Sequence, residues 1–242
     1  MKGNNMKRIR ERWIAAGLAV MLLVSLLFPA MAFASDTESN TIHIQSQDDL
    51  RTLAENCRLD TWSQGKTVIL DKDITLDEDA QDFLPIPTFG GTFEGGGHTI
   101  SGFSLTGEES NAGLFDTLQK SAVVSHLKVV GQVMPSGASD TIGGIAGTNY
   151  GKLMDCTFEG AVAGKDSVGG LVGINETTGR LISCQFQGTV TGEHYVGGIV
   201  GQNTGSVIQC RNNGEINTTV VEVSANLPDF STLGTTESMP AG

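Results

Sequence analysis

The chain has 242 residues, with 32 Gly, 39% hydrophobic, 6% aromatic and 17% charged residues. That composition supplies a core but carries too much glycine for long helices or a coiled coil, and it lacks a collagen period. The formal net charge of -12 argues against a nucleic-acid binder, which needs a basic footprint.

Residues 1–34 read as a secretory signal peptide. Lys2, Lys7, Arg8, Arg10 and Arg12 precede an apolar run from Ile14 to Phe28, and Ala32-Phe33-Ala34 supplies the small-residue cleavage pattern. A retained membrane anchor is the alternative. Cleavage after Ala34 lowers Lys plus Arg from 15 to 10 and Asp plus Glu from 27 to 26, so the remaining chain carries 10 − 26 = -16. The expected location is secreted, extracellular or loosely associated with the cell envelope, with membrane contact only during export.

Residues 35–66 read as an N-terminal extension with a capping helix. Ser46 and Asp49 form a start signal, and Leu50, Leu53, Ala54 and Cys57 recur at helical spacing over 47–57. This helix is expected to cover the open edge of the first coil. An acidic run follows, in which Asp71, Asp73, Asp77 and Asp79 are candidate Ca²⁺ ligands. Solvated loop acids are the alternative, and no other cofactor is expected.

Residues 67–223 carry internal repeats near 111–133, 142–164, 168–192 and 196–217. Gly143, Gly169 and Gly197 recur at intervals of 26 and 28 residues, and Cys156, Cys184 and Cys210 at 28 and 26. Asn149, Asn175 and Asn203 form a third row. The middle copy is enlarged by two residues within one turn, Asn175 to Gly179, as stacked units allow. Alternation of Met154, Cys156 and Phe158 with polar residues predicts a strand with one buried face. These units are too short for a propeller blade of about 40 residues. They predict an all-β fold, a right-handed parallel β-helix of about six coils, against the alternative of a β-sandwich.

In that fold the Cys row is expected inside as a ladder of thiols, with oxidation of one pair as the alternative. The Asn row is expected to hydrogen-bond along the axis. Gly143, Gly169 and Gly197 are expected at tight bends. Residues 224–242 read as a flexible tail or linker.

GGIAG, GGLVG and GGIVG, each followed by Asn, Gly and Cys at nearly fixed offsets, resemble the GLUG-motif repeats of secreted and surface bacterial proteins. PIPTFGGTFEGGGHTISGF (85–103) is similar to the coil that precedes such repeats. The resemblance implies a β-helical stalk or adhesive module to which no catalytic residues belong. His43, His98, His126 and His194 sit at no metal-ligand spacing, and neither a nucleophile elbow nor a phosphate loop is present. The expected function is therefore a non-catalytic surface module acting as a spacer or adhesive element. Its expected partner is a glycan or an envelope or host surface protein, with the oligomeric state open. The alternative is a polysaccharide-degrading enzyme or its accessory subunit, a reading by analogy of fold.

Overall fold

The computed structural model describes residues 40–77, 85–108, 110–136 and 140–217. The predicted signal segment 1–34, Asp79 and the tail 224–242 lie outside them. Short runs of β-branched and small residues, each ended by Gly, Asn or Asp, form strands of 2 to 7 residues. Every strand pairs in parallel with its counterpart one repeat away, so the chain winds as a β-solenoid.

Four sheets make up its faces. The first contains Thr41–Ile44, Thr67–Leu70, Thr92–Glu94, Val123–Ser125, Lys152–Met154, Arg180–Ile182 and Ser206–Ile208. The second starts at Ile74–Thr75 and Thr99–Leu105. It continues through Lys128–Val133, Thr157–Ala163 and Gln185–Thr191, and ends on Arg211–Asn212 and Glu215–Ile216. A third has five strands, from Ile86–Phe89 to Val200–Asn203, and a fourth has four, from Asn111–Ala112 to Val196–Gly197. Seven levels on the first face correspond to about six turns and a length of about 29 Å at the spacing of paired strands.

The N-terminal extension differs from expectation. Thr41–Ile44 precedes the helix and pairs with Thr67–Leu70, so the solenoid begins before the cap. Its alternation of Thr, Ile, His and Ile is the pattern of a half-buried strand. Helix α1 spans Gln47–Asn56. Ser46 caps it, accepting from the Asp49 amide at 3.2 Å, while the Asp49 carboxylate accepts from the Gln45 amide at 2.9 Å. The pair is reciprocal like a capping box, with Asp in place of Glu and its carboxylate reaching the amide one residue before the cap. Leu50, Leu53, Ala54 and Cys57 are buried against the core.

The predicted strand through Met154, Cys156 and Phe158 is also corrected. Asp155 has a left-handed backbone (φ 50°), as do His126, Ser183 and Gln209 at the same corner of neighbouring turns (φ 50°, 55° and 54°). A left-handed residue turns the chain, so the alternation breaks there. The buried positions are Leu153, Cys156 and Phe158, repeated as Leu181, Cys184 and Phe186.

Side chains in register fill the axis. The Phe158 and Phe186 rings are stacked at 6.3 Å with planes 5° apart, and Asn212 takes the next position. Each paired glycine meets a different obstacle. A Cβ on Gly143, Gly169 or Gly197 would lie 2.2, 2.0 or 2.0 Å from the carbonyl oxygen three residues on. One on Gly144 or Gly170 would lie 2.4 Å from the Phe158 or Phe186 ring. The first glycine thus closes the bend, and the second makes room for the phenylalanine of its own turn.

Candidate functional site

The predicted rows fall into inward and outward sets. Cys156 and Cys184 are fully buried and Cys210 is half-buried. All three are free thiols. Their Sγ–H groups donate to the carbonyls of Met154, Ile182 and Ile208 at 3.2, 3.3 and 3.4 Å. The hydrogen bond with Cys156, together with burial, pushes the Cys184 thiol up to about 12. The Cys210 thiol is raised by its bond with Cys184 and by burial, and burial takes Cys57 to about 11. Cys57, Cys184 and Cys210 so shifted supply little thiolate, the reactive form, near neutral pH, whereas the hydrogen bond from Cys184 lowers the Cys156 thiol.

The asparagine row is a continuous amide ladder. Asn149 Nδ2 donates to Asn175 Oδ1 at 2.8 Å, and Asn175 Nδ2 donates to Asn203 Oδ1 at 2.7 Å. Asn149 Oδ1 accepts from the Gly151 amide at 3.0 Å. Asn149 and Asn175 are fully buried, and their amides hold the corner turns together.

The described members of the acidic run, Asp71, Asp73 and Asp77, do not converge. Asp71 accepts from Gln45 at 2.7 Å and contacts His43 Nδ1 at 2.9 Å. Asp73 accepts from the Thr99 amide at 2.9 Å and contacts His98 at 3.2 Å. Asp77 accepts from Gln47 at 3.1 Å. Among the described residues, no group of three or more His, Cys, Asp or Glu side chains is arranged to hold a metal.

Each histidine lies beside a carboxylate: His43 with Asp71, His98 with Asp73, His126 with Glu94, and His194 with Asp166, at 2.7 to 3.2 Å. Glu94 also accepts from Ser125 and from the Gly96 amide. These outward carboxylates are therefore engaged in pinning corners of the solenoid.

One outward corner has a different character. Between the third and first sheets, the turns 119–122 and 176–179 contain four residues, whereas 150–151 and 204–205 contain two. The short Tyr150-Gly151 turn therefore lies between two long ones and forms a notch of about 530 Å³. Lys120 and Ser121 belong to one wall, Thr177 and Thr178 to the other, with Gly151, Lys152, Ala122, Val123 and Arg180 completing the lining. Thr178 Oγ1 donates to the Tyr150 carbonyl at 2.7 Å and Ser121 Oγ to the Gly90 carbonyl at 2.8 Å, which fixes both walls. Lys152 is in register with Arg180 on the adjacent strand. Sequence comparison of the repeats exposes the longer turn at Asn175–Gly179, but the opposing wall at Lys120 lies in a fainter copy, so the notch itself escaped the sequence reading.

The fold and its rows define a repeat protein of the parallel β-solenoid class. Residues 166–191 and 192–217 each match the family model described as the GLUG motif, so the chain carries tandem GLUG repeats. Over 158 residues it is 33% identical to Halomucin of the archaeon Haloquadratum walsbyi, an alignment covering 61% of this chain. The chain spans about 2% of the length of that relative. No solved structure matches the chain.

Proposed function

We propose that this protein is a secreted or surface-exposed, non-catalytic module that binds a glycan or a surface protein through the outward side of its solenoid. The observation that carries this reading is the division of labour between rows. Inward Cys, Phe and Asn positions repeat from turn to turn, while outward ones change chemistry. Thr157, Gln185 and Arg211 stack in register, as do Glu159 and Gln187. A repeating interior satisfies the fold, and an outward row that varies is free to be shaped by a partner. The GLUG repeats and the similarity to Halomucin support a surface or secreted setting.

Catalysis is disfavoured by what the outward carboxylates do. Glycoside hydrolysis needs two carboxyl groups facing one bond, whereas Glu94, Asp71, Asp73 and Asp166 are each paired with histidine. Glu159 forms an ion pair with Lys128 at 2.8 Å. The test is a glycan array and pull-down with the purified protein, with product analysis of the same incubations. Saturable binding without cleavage is the expected result. Shortened oligosaccharides would overturn the reading in favour of an enzyme.

A further inference from the structure

We infer that the notch between the two long corner turns binds the carboxylate- or sulfate-bearing unit of an acidic oligosaccharide lying along the solenoid axis. This deepens the binding-module reading and rests on it.

The argument begins with charge. Residues 35–242 hold ten Lys and Arg against 26 Asp and Glu, yet three of those ten cations, Lys120, Lys152 and Arg180, line this one cavity. Among the described residues, no carboxylate lines it. Of the other seven, Arg51 pairs with Asp48, Lys128 with Glu159, and Lys66 lies over the Trp62 ring, and none of the seven lines the notch. The three cations of the notch form no ion pair among the described residues. Two of them, Lys152 and Arg180, occupy directly opposed positions on neighbouring parallel strands. Like charges so placed repel across roughly one strand spacing. An anion seated between them turns that repulsion into two charge-assisted hydrogen bonds, and the guanidinium fork suits a carboxylate or sulfate.

The remaining lining narrows the class. A volume of about 530 Å³ is the size of a small-ligand site, so the notch takes one or a few sugar units rather than a protein surface. Ala122 and Val123 offer apolar contact beside the Ser121 and Thr177 hydroxyls, a mixture suited to the apolar face and hydroxyl rim of a pyranose. A long polyanion such as a nucleic acid meets the strongly negative remainder of the body on either side. The geometry thus selects a short, locally anionic segment.

The experiment is titration calorimetry of the full chain at low salt with trigalacturonate, its fully methyl-esterified counterpart, sodium sulfate and a single-stranded oligothymidylate. Trigalacturonate is expected to bind and to weaken with added salt. The neutral ester should bind at least about tenfold more weakly, since it loses a charge-assisted contact. Lys152→Gln and Arg180→Gln should each cost about tenfold or more in affinity, while Lys165→Gln, at an exposed cation outside the notch, should leave it unchanged. Sulfate alone binding as tightly as trigalacturonate would overturn the sugar part of the inference, and preference for the oligothymidylate would overturn the ligand class. Equal binding by wild type and Arg180→Gln would remove the site. In each of those cases a saturable ligand on the glycan array leaves the broader reading standing. A structural check keeps the variants interpretable. Without ligand, Lys152→Gln relieves like-charge repulsion, so its melting temperature should equal or exceed that of the wild type. A clear fall in melting temperature would show that Lys152 serves the fold, and would also overturn the assignment.

Discussion

The two ends of the described solenoid are built from similar strands and differ in how deeply their inward rows are buried. At the N-terminal end, α1 lays Leu50, Leu53, Ala54 and Cys57 over the first turns, and Ile44, Val68 and Leu70 beneath are almost fully buried. At residues 196–217 the same inward rows lack a described neighbour on one side. There Cys210 is half-buried and Val207, Ile208 and Ile216 are 39 to 44% exposed. Burial of a repeat residue is therefore set by the turn stacked on it as much as by its identity. The sequence registers the change, because Asn212 stands where Phe158 and Phe186 stand in the turns before. Its side chain serves its own turn, accepting from the Gly214 amide at 2.9 Å.

That contrast can be broken by placing one substitution at successive levels. Cys184→Asp buries an unpaired carboxylate and should cost about 3–5 kcal/mol. Cys210→Asp, on the last described turn, should cost less than half as much by urea denaturation. Equal losses would show that the last turn is as well covered as the interior. Asn175→Ala removes amide bonds to both neighbours in a buried column and should cost about 2–3 kcal/mol, against about 1 kcal/mol or less for exposed Asn203→Ala. At the capped end, Ser46→Ala removes the helix cap and should cost about 1 kcal/mol. Gln185→Asp, one residue from Cys184 but outward, should stay within about 0.5 kcal/mol.

Acid sharpens the same comparison by direction. Asp71 is lowered by hydrogen bonds from Gln45 and His43, Asp73 by the Thr99 amide and His98, and Asp49 by the Gln45 amide and Ser46. Glu94 is raised by burial but lowered overall by the Gly96 amide, Ser125 and His126. A carboxylate whose folded pKa lies below its unfolded value stabilises the fold above the unfolded value, and that contribution is lost as pH falls through the folded one. All four lie in the N-terminal half. Below about pH 4, hydrogen exchange should therefore accelerate first across residues 41–101, with the turns from 142 to 191 protected longer.

Much of this architecture is legible in the sequence because a solenoid repeats its constraints. The rows of Gly143, Cys156 and Asn149 and their successors mark the period, and Asn175 with its enlarged turn marks where the length varies. What escapes has a local cause. A non-glycine residue with left-handed backbone, such as Asp155 or Ser183, carries no strong signature, so a corner passes for a continuing alternation. The first strand at Thr41 has too few residues to stand out until Thr67–Leu70 pairs with it. Lys120 and Thr177 line one notch only because the turns run long, short and long. Each looks like an ordinary exposed loop residue when its own repeat is read alone.

The central claim is that successive turns share one axis and one register. Sulfur positions located by anomalous diffraction from a crystal of the protein test it most directly. The account predicts that the sulfurs of Cys156, Cys184 and Cys210 form a single column, with consecutive members about one strand spacing, ~4.8 Å, apart. Sulfurs found on different faces, or separated by more than two such spacings between neighbours, would contradict it.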